Sequence, residues 1–149
     1  MSATQTQLEE NKQVVRRLFL DCFSGGHLEV LDEIISPNFE FEYPNLPEGI
    51  EGLKAIIKKN NDCFEGWHFT MHDVLAVDDK VVVRWTASGT HVKSFLGEAP
   101  TEKEVEFKGI SIYMLENGLI RKDWVEPDHL GFLTQLGVLS PMDFATDEG

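Results

Sequence analysis

Residues 109–127 read Gly109-Ile110-Ser111-Ile112-Tyr113-Met114-Leu115-Glu116-Asn117-Gly118-Leu119-Ile120-Arg121-Lys122-Asp123-Trp124-Val125-Glu126-Pro127. Ile110, Ile112 and Met114 alternate with Ser111 and Tyr113, the period-two pattern of a half-buried strand. Asn117-Gly118 is a hairpin turn, since both residues tolerate positive φ. A second strand runs from Leu119 to about Glu126, and Pro127, which has no N–H to donate to a ladder, ends it. Asp128 then stands as the N-cap of a short helix carrying Leu130, Leu133 and Leu136, with Gly137 as its stop. The hairpin thus delivers two carboxylates, Asp123 and Glu126, to a strand end, with a third, Asp128, just beyond. That strand end is where function is expected.

Working outward from this hairpin, the preceding chain supplies more strands. Trp67–Val77, Lys80–Phe95 and Lys103–Leu115 read as strands, with Asp78-Asp79 as a turn and Gly97–Thr101 as a loop. Before them, Leu8–Phe23 carries one apolar stripe at helical spacing. Gly25-Gly26 breaks it, and a shorter helix over Leu28–Ile35 ends at Ser36-Pro37. Phe39-Glu40-Phe41-Glu42-Tyr43 alternates as a strand, and Gly52–Phe64 is a third helix. Helices followed by a run of antiparallel strands point to an α+β fold, not a parallel doubly wound sheet. The expected form is a cone: a long, curved antiparallel sheet wrapped around three helices of the N-terminal half, with a short C-terminal helix. Its open end is a natural pocket.

Length and composition set the limits. A chain of 149 residues, 42% hydrophobic, is expected to form a single domain over 1–149. Its core would span about 8–138, with a loose arm over 1–7 and an acidic, disordered tail over 139–149. Twenty-six acids against 13 bases give a net charge of −13, which repels nucleic acid and anionic membranes. No stretch approaches a membrane span, and no signal-peptide pattern is present, so a cytoplasmic location is expected. Cys22 and Cys63 match no metal or redox spacing and read as reduced core residues. His68 and His72 lie four apart on a strand, about 13 Å of chain, too far for one metal ion. No phosphate loop, dinucleotide fingerprint or nucleophile elbow occurs, so no cofactor and no metal are expected.

Several motifs together resemble one family. They are Arg84-Trp85 with Gly89-Thr90-His91, then Gly97, Pro100-Thr101 and Lys103, the hairpin Asn117-Gly118-Leu119-Ile120, and Trp124, Asp128, Gly131 and Gln135-Leu136-Gly137. In this order they resemble the SnoaL-like polyketide cyclases of the nuclear-transport-factor-2-like superfamily, from about Asn11 to Gly137. The resemblance implies the cone fold, a homodimer, and cofactor-free acid–base chemistry on a small hydrophobic, oxygenated, ring-bearing molecule. In such cyclases an aspartate removes a proton α to carbonyls and the carbanion closes a ring. An apolar cone raises a carboxyl pKa toward working pH and so improves it as a base.

Carried over residue by residue, the family's base falls on Val125, and its helper histidine near Tyr113. Either a different carboxylate serves here or the aldol chemistry is not performed. Asp123, two residues from Val125 and on the same face of an ideal strand, is the first candidate base, followed by Glu126 and Asp128. Glu126 and Trp124 share the opposite face with Ile120 unless a bulge intervenes. His91 and Tyr113 are candidate proton partners. Trp67, Trp85, Trp124, Val125 and Phe41 are candidate pocket walls. Each has a plainer reading: Asp123 and Glu126 as solvated strand charges, Asp128 as a helix cap, His91 as a hydrogen-bonded structural residue, Tyr113 and the aromatics as core. Two further functions stay open. One is a ligand-binding or dimerisation module without catalysis. The other is isomerase, dehydratase or epoxide-hydrolase chemistry, the last needing an inward Asp–Arg–Asp relay through Arg84 or Arg121.

Overall fold

The computed structural model describes residues 3–41 and 46–139. Expectations that fall on residues 42–45, on the two first residues and on the acidic tail lie outside them. Helix α1 (Gln5–Arg17) opens with a capping box: Thr4 Oγ1 accepts from the Gln7 N–H at 3.1 Å, and the Gln7 side chain accepts from the Thr4 N–H at 2.8 Å. These polar contacts, invisible to an apolar stripe, start the helix ahead of Leu8. From Leu18 to Phe23 the helix widens into a π-helical turn. It buries Leu18, Phe19 and Cys22 together. A 3₁₀ turn (Leu28–Val30) leads into the short α2 (Leu31–Ile34).

Strand β1 (Ile35–Glu40) starts earlier than the Phe39–Tyr43 alternation predicts, and Ser36-Pro37 lies inside it. It pairs with β5 alone, so its proline sits on an edge, where a missing N–H is tolerated. Helix α3 (Ile50–Cys63) buries Leu53 and Ile57. Strands β2 (Phe64–Val77), β3 (Lys80–His91), β4 (Glu104–Glu116) and β5 (Leu119–Pro127) follow, and α4 (His129–Leu136) closes the described chain. The sheet order is β1-β5-β4-β3-β2. Adjacent strands from β2 to β5 are antiparallel, as predicted, but β1 runs parallel to β5, so the sheet is mixed. At the β4–β5 hairpin Asn117 and Gly118 both have positive φ, 53° and 78°. Asp128 caps α4 by accepting from the Gly131 N–H at 3.0 Å, and Gly137 ends it at φ 86°.

The helices lie in the concave side of the sheet. Phe19 and Leu18 pack with Val81, Val83, Tyr113 and Ile120 in one buried cluster, and Phe19 meets the Tyr113 ring edge-on at 5.9 Å. Period two holds in β4, but its buried side is Ser111, Tyr113 and Leu115, while Ile110 stands half exposed on the other face. Both cysteines are buried free thiols. Burial, with Asp21 nearby, pushes the Cys22 thiol up to about 12.

Candidate functional site

The facing of β5 decides what the concave side contains. Leu115 pairs with Ile120, but Met114 pairs with Lys122, so β5 carries one extra residue at Arg121. This bulge resets the alternation. Ile120 is buried, and three residues later Asp123 also points inward, followed by Val125 and Pro127. Glu126 and Trp124 are thereby turned to the opposite face, away from Ile120.

Asp123, Val125 and Pro127 line a cavity of about 90 Å³ between the sheet and α3. Leu53, Ile56, Ile57 and Asn60 form its helix wall. Trp67, Phe69, Trp85 and Phe107 form a continuous aromatic wall from β2, β3 and β4, with ring centroids 5.8, 5.1 and 5.7 Å apart along the row. Phe23, from the π turn, and Phe41 complete it. Tyr113 faces Asp123 directly across the β4–β5 pair. Trp85 Nε1 donates to Ser111 Oγ at 2.9 Å, which satisfies the indole inside the wall.

Among the described residues, the acid in this cavity has no counter-charge. Its neighbours Arg121 and Lys122 both approach Glu40, at 3.3 Å each. Hydrogen bonds from Lys122 and then Arg121 hold the Glu40 carboxyl below its usual range. Asp123 Oδ1 is fully enclosed and takes no hydrogen bond. Desolvation alone raises the Asp123 pKa from 3.8 to about 7. Tyr113, buried beside it, has its hydroxyl pKa pushed well above the usual 10 by burial and then by the Asp123 charge, partly offset by the nearby Ser111 hydroxyl.

Of the residues singled out from sequence, the structure gathers Asp123, Tyr113, Trp67, Trp85, Val125 and Phe41 around the cavity. Four lie elsewhere. Glu126 is exposed on the outer face, because the bulge turns it out. Trp124 is 41% exposed there, its ring under the Lys122 ammonium at 4.9 Å. Asp128 is exposed and occupied as the cap of α4. His91 is fully buried but lines no part of the cavity; its Nδ1 accepts from the Thr101 N–H at 3.1 Å and pins the loop after β3. Arg84 ion-pairs with Asp73 at 2.6 Å among exposed side chains, and Arg121 is engaged by Glu40, so neither enters the cavity to form an Asp–Arg–Asp relay. Asn60 and Ser111 were not foreseen. Asn60 sits at helical spacing from Leu53, Ile56 and Ile57, and that spacing was the available signal. Among the described residues no cluster of three metal-ligating side chains occurs. No helix among them is long and apolar enough to cross a membrane.

Comparison with known proteins identifies the family and the fold. The profile of the SnoaL-like polyketide cyclases matches residues 13–136, and the chain belongs to that family. Among solved structures, TsrD from Streptomyces laurentii is 31% identical with a TM-score of 0.80, over 88% of this chain and 97% of TsrD. IdmH from Streptomyces antibioticus, described as a candidate polyketide cyclase, is 27% identical with a TM-score of 0.73, over 86% and 99% of the two chains. A protein from Bacillus cereus, described in the same way, is 26% identical with a TM-score of 0.81, over 93% and 87%. No curated protein matches the chain.

Proposed function

We propose that the protein is a cofactor-independent acid–base enzyme that closes a ring in a hydrophobic, oxygenated substrate, with Asp123 as the base. One observation carries this: a carboxyl lining an aromatic cavity, its Oδ1 enclosed and without a hydrogen bond, its pKa raised to about 7. An acid so placed costs folding energy, and it is matched to exchanging a proton at neutral pH. Asp123 takes the proton from a carbon α to one or two carbonyls, leaving the C–H electron pair as an enolate. The enolate carbon bonds to a second carbonyl carbon of the same molecule, whose π pair moves to oxygen. The resulting alkoxide takes the proton back from Asp123, which regenerates the carboxylate. Tyr113, across the strand pair, donates to the enolate oxygen. The aromatic walls favour a flat, neutral substrate, and among the described residues no cation lines the cavity to receive an anionic one.

Deuterium exchange at the central carbon of an aryl 1,3-diketone, followed by NMR in heavy water, tests this. The protein is expected to accelerate exchange with a pH midpoint near 7, and Asp123→Asn to slow it roughly a hundredfold or more. Equal rates for the two proteins would reject the base. Val125, where the family's base aligns, favours a second reading, a binding module that holds such a ligand without chemistry. It predicts saturable binding of the diketone with no acceleration.

A further inference from the structure

We propose that Asn60 is a substrate-binding residue that holds a second oxygen of the substrate, a hydroxyl or carbonyl at the end remote from the reacting carbon. Calling that molecule a substrate rests on the acid–base reading of Asp123, but the site itself follows from what lines the cavity. Leu53, Ile56, Ile57 and Asn60 fall at helical spacing, so one face of α3 turns all four to the cavity. Three are apolar, and the fourth ends in an amide with two donors and an acceptor. Among the described residues the half-buried Asn60 side chain takes part in no hydrogen bond. Its neighbour Asn61 is tied down: Nδ2 donates to the Phe23 carbonyl at 3.1 Å and to the Ile57 carbonyl at 2.9 Å. Asn61 thus holds this part of the fold, and Asn60 is not needed for it. An amide turned to an apolar wall without a partner costs folding energy.

The cavity has a polar group toward each end. Asp123 and Phe41 also border a groove with Gly49, the residue just before α3, which places them near the start of that helix. A Cβ on Gly52 would stand 3.4 Å from the Phe41 ring, which marks the same end. Asn60 lies about two turns beyond Leu53, close to the Asn61 that holds Phe23, and two turns are about 10 Å of helix axis. Tyr113 pairs across the sheet with Asp123 and so belongs to the first end. Ser111 Oγ already accepts from Trp85 Nε1 at 2.9 Å. A ligand lying along the aromatic wall with its reacting carbon at Asp123 therefore meets one uncommitted polar side chain at its far end, that of Asn60. The amide is uncharged, so it receives a neutral oxygen: a hydroxyl donating to Oδ1, or a carbonyl accepting from Nδ2. The substrate class narrows to a flat molecule with oxygen at both ends, dicarbonyl at one and phenol, enol or ketone at the other. A site that hydrogen-bonds such an oxygen rejects the analogue lacking it, because its own amide is then left unpaired.

Calorimetric titration with two ligands, benzoylacetone and its para-hydroxy counterpart, tests this. The quantity read is the ratio of their affinities. The native protein is expected to bind the hydroxylated ligand roughly tenfold more tightly, the net worth of one good hydrogen bond. Asn60→Leu is expected to abolish or reverse that preference. Asn60→Ala, which leaves the space open, reads the same ratio if leucine shuts the cavity to both ligands. A purely structural role for Asn60 would weaken both ligands alike and leave the ratio at its native value, which would overturn the proposal. A native protein that does not discriminate, or that binds neither ligand, overturns it as well. The base is read separately, by diketone exchange in Asp123→Asn. Exchange that persists in that variant, beside a preference that depends on Asn60, removes the base and keeps the site. Exchange that collapses, beside a preference indifferent to Asn60, keeps the base and removes the site.

Discussion

At the scale of single residues, Asp123 links the proposed function to stability. Its pKa is 3.8 as a free side chain and about 7 in the fold, through desolvation. Between those values the folded protein holds a proton that the unfolded chain has released. Stability is therefore greatest below pH 4 as far as this group is concerned, and falls as pH rises toward 7. The full shift corresponds to at most about 4 kcal/mol at pH 8. Asp123→Asn is accordingly expected to be more stable than the native protein at pH 8, with the advantage shrinking as pH falls toward 4. Urea midpoints at the two pH values check this, and a native protein equal to or more stable than the variant at pH 8 would show that the carboxylate has found a partner. Glu40 explains why Asp123 has none: it takes both nearby cations, Arg121 and Lys122.

At the scale of elements, β5 and α4 separate what holds the fold from what lines the cavity. Asp128 serves α4 by capping it. Asp128→Ala is expected to cost about 1 kcal/mol, the usual worth of an N-cap. It is also expected to leave diketone exchange at its native rate, because the side chain is exposed outside the cavity; a fall in exchange rate at constant folded fraction would place Asp128 in the chemistry. The cap was legible in sequence, as were the Asn117-Gly118 turn and the Gly137 stop, because each depends on local backbone chemistry. The long strands were legible from period two. What escaped was facing and partnership. Both sides of β4 carry apolar residues, so alternation alone does not say that Ser111 and Tyr113 are the inner ones. The bulge at Arg121 contains no glycine to announce it, yet it decides that Asp123 lines the cavity and Glu126 does not. Likewise, nothing local says that Ile35–Glu40 will lie parallel to a strand some eighty residues later. His91 was read from sequence as a possible partner of the base, but tertiary contact with Thr101, on the loop after β3, ties it down outside the cavity.

At the scale of the whole molecule, a net charge of −13 makes the surface repel itself. Salt screens that repulsion over a Debye length of about 10 Å at 0.1 M. Raising sodium chloride well above that concentration is expected to raise the melting temperature, because few of the ion pairs it weakens are buried; a falling melting temperature would mean that surface pairs such as Arg84–Asp73 outweigh the global repulsion. The same negative field disfavours anionic ligands before they reach the cavity, in keeping with a lining that holds no cation among the described residues.

Along the inner face of β5, Asp123, Val125 and Pro127 occupy successive berths about 6.7 Å apart, two strand residues each. For molecular evolution this makes the cavity wall a keyboard. Moving the acid from the berth of Val125 to that of Asp123 needs only two point substitutions and leaves the face, the fold and the aromatic wall in place. It also translates the carboxyl by one berth relative to any molecule held against that wall, bringing a different atom beneath it. A lineage can in this way change which bond it makes while keeping the container it makes it in.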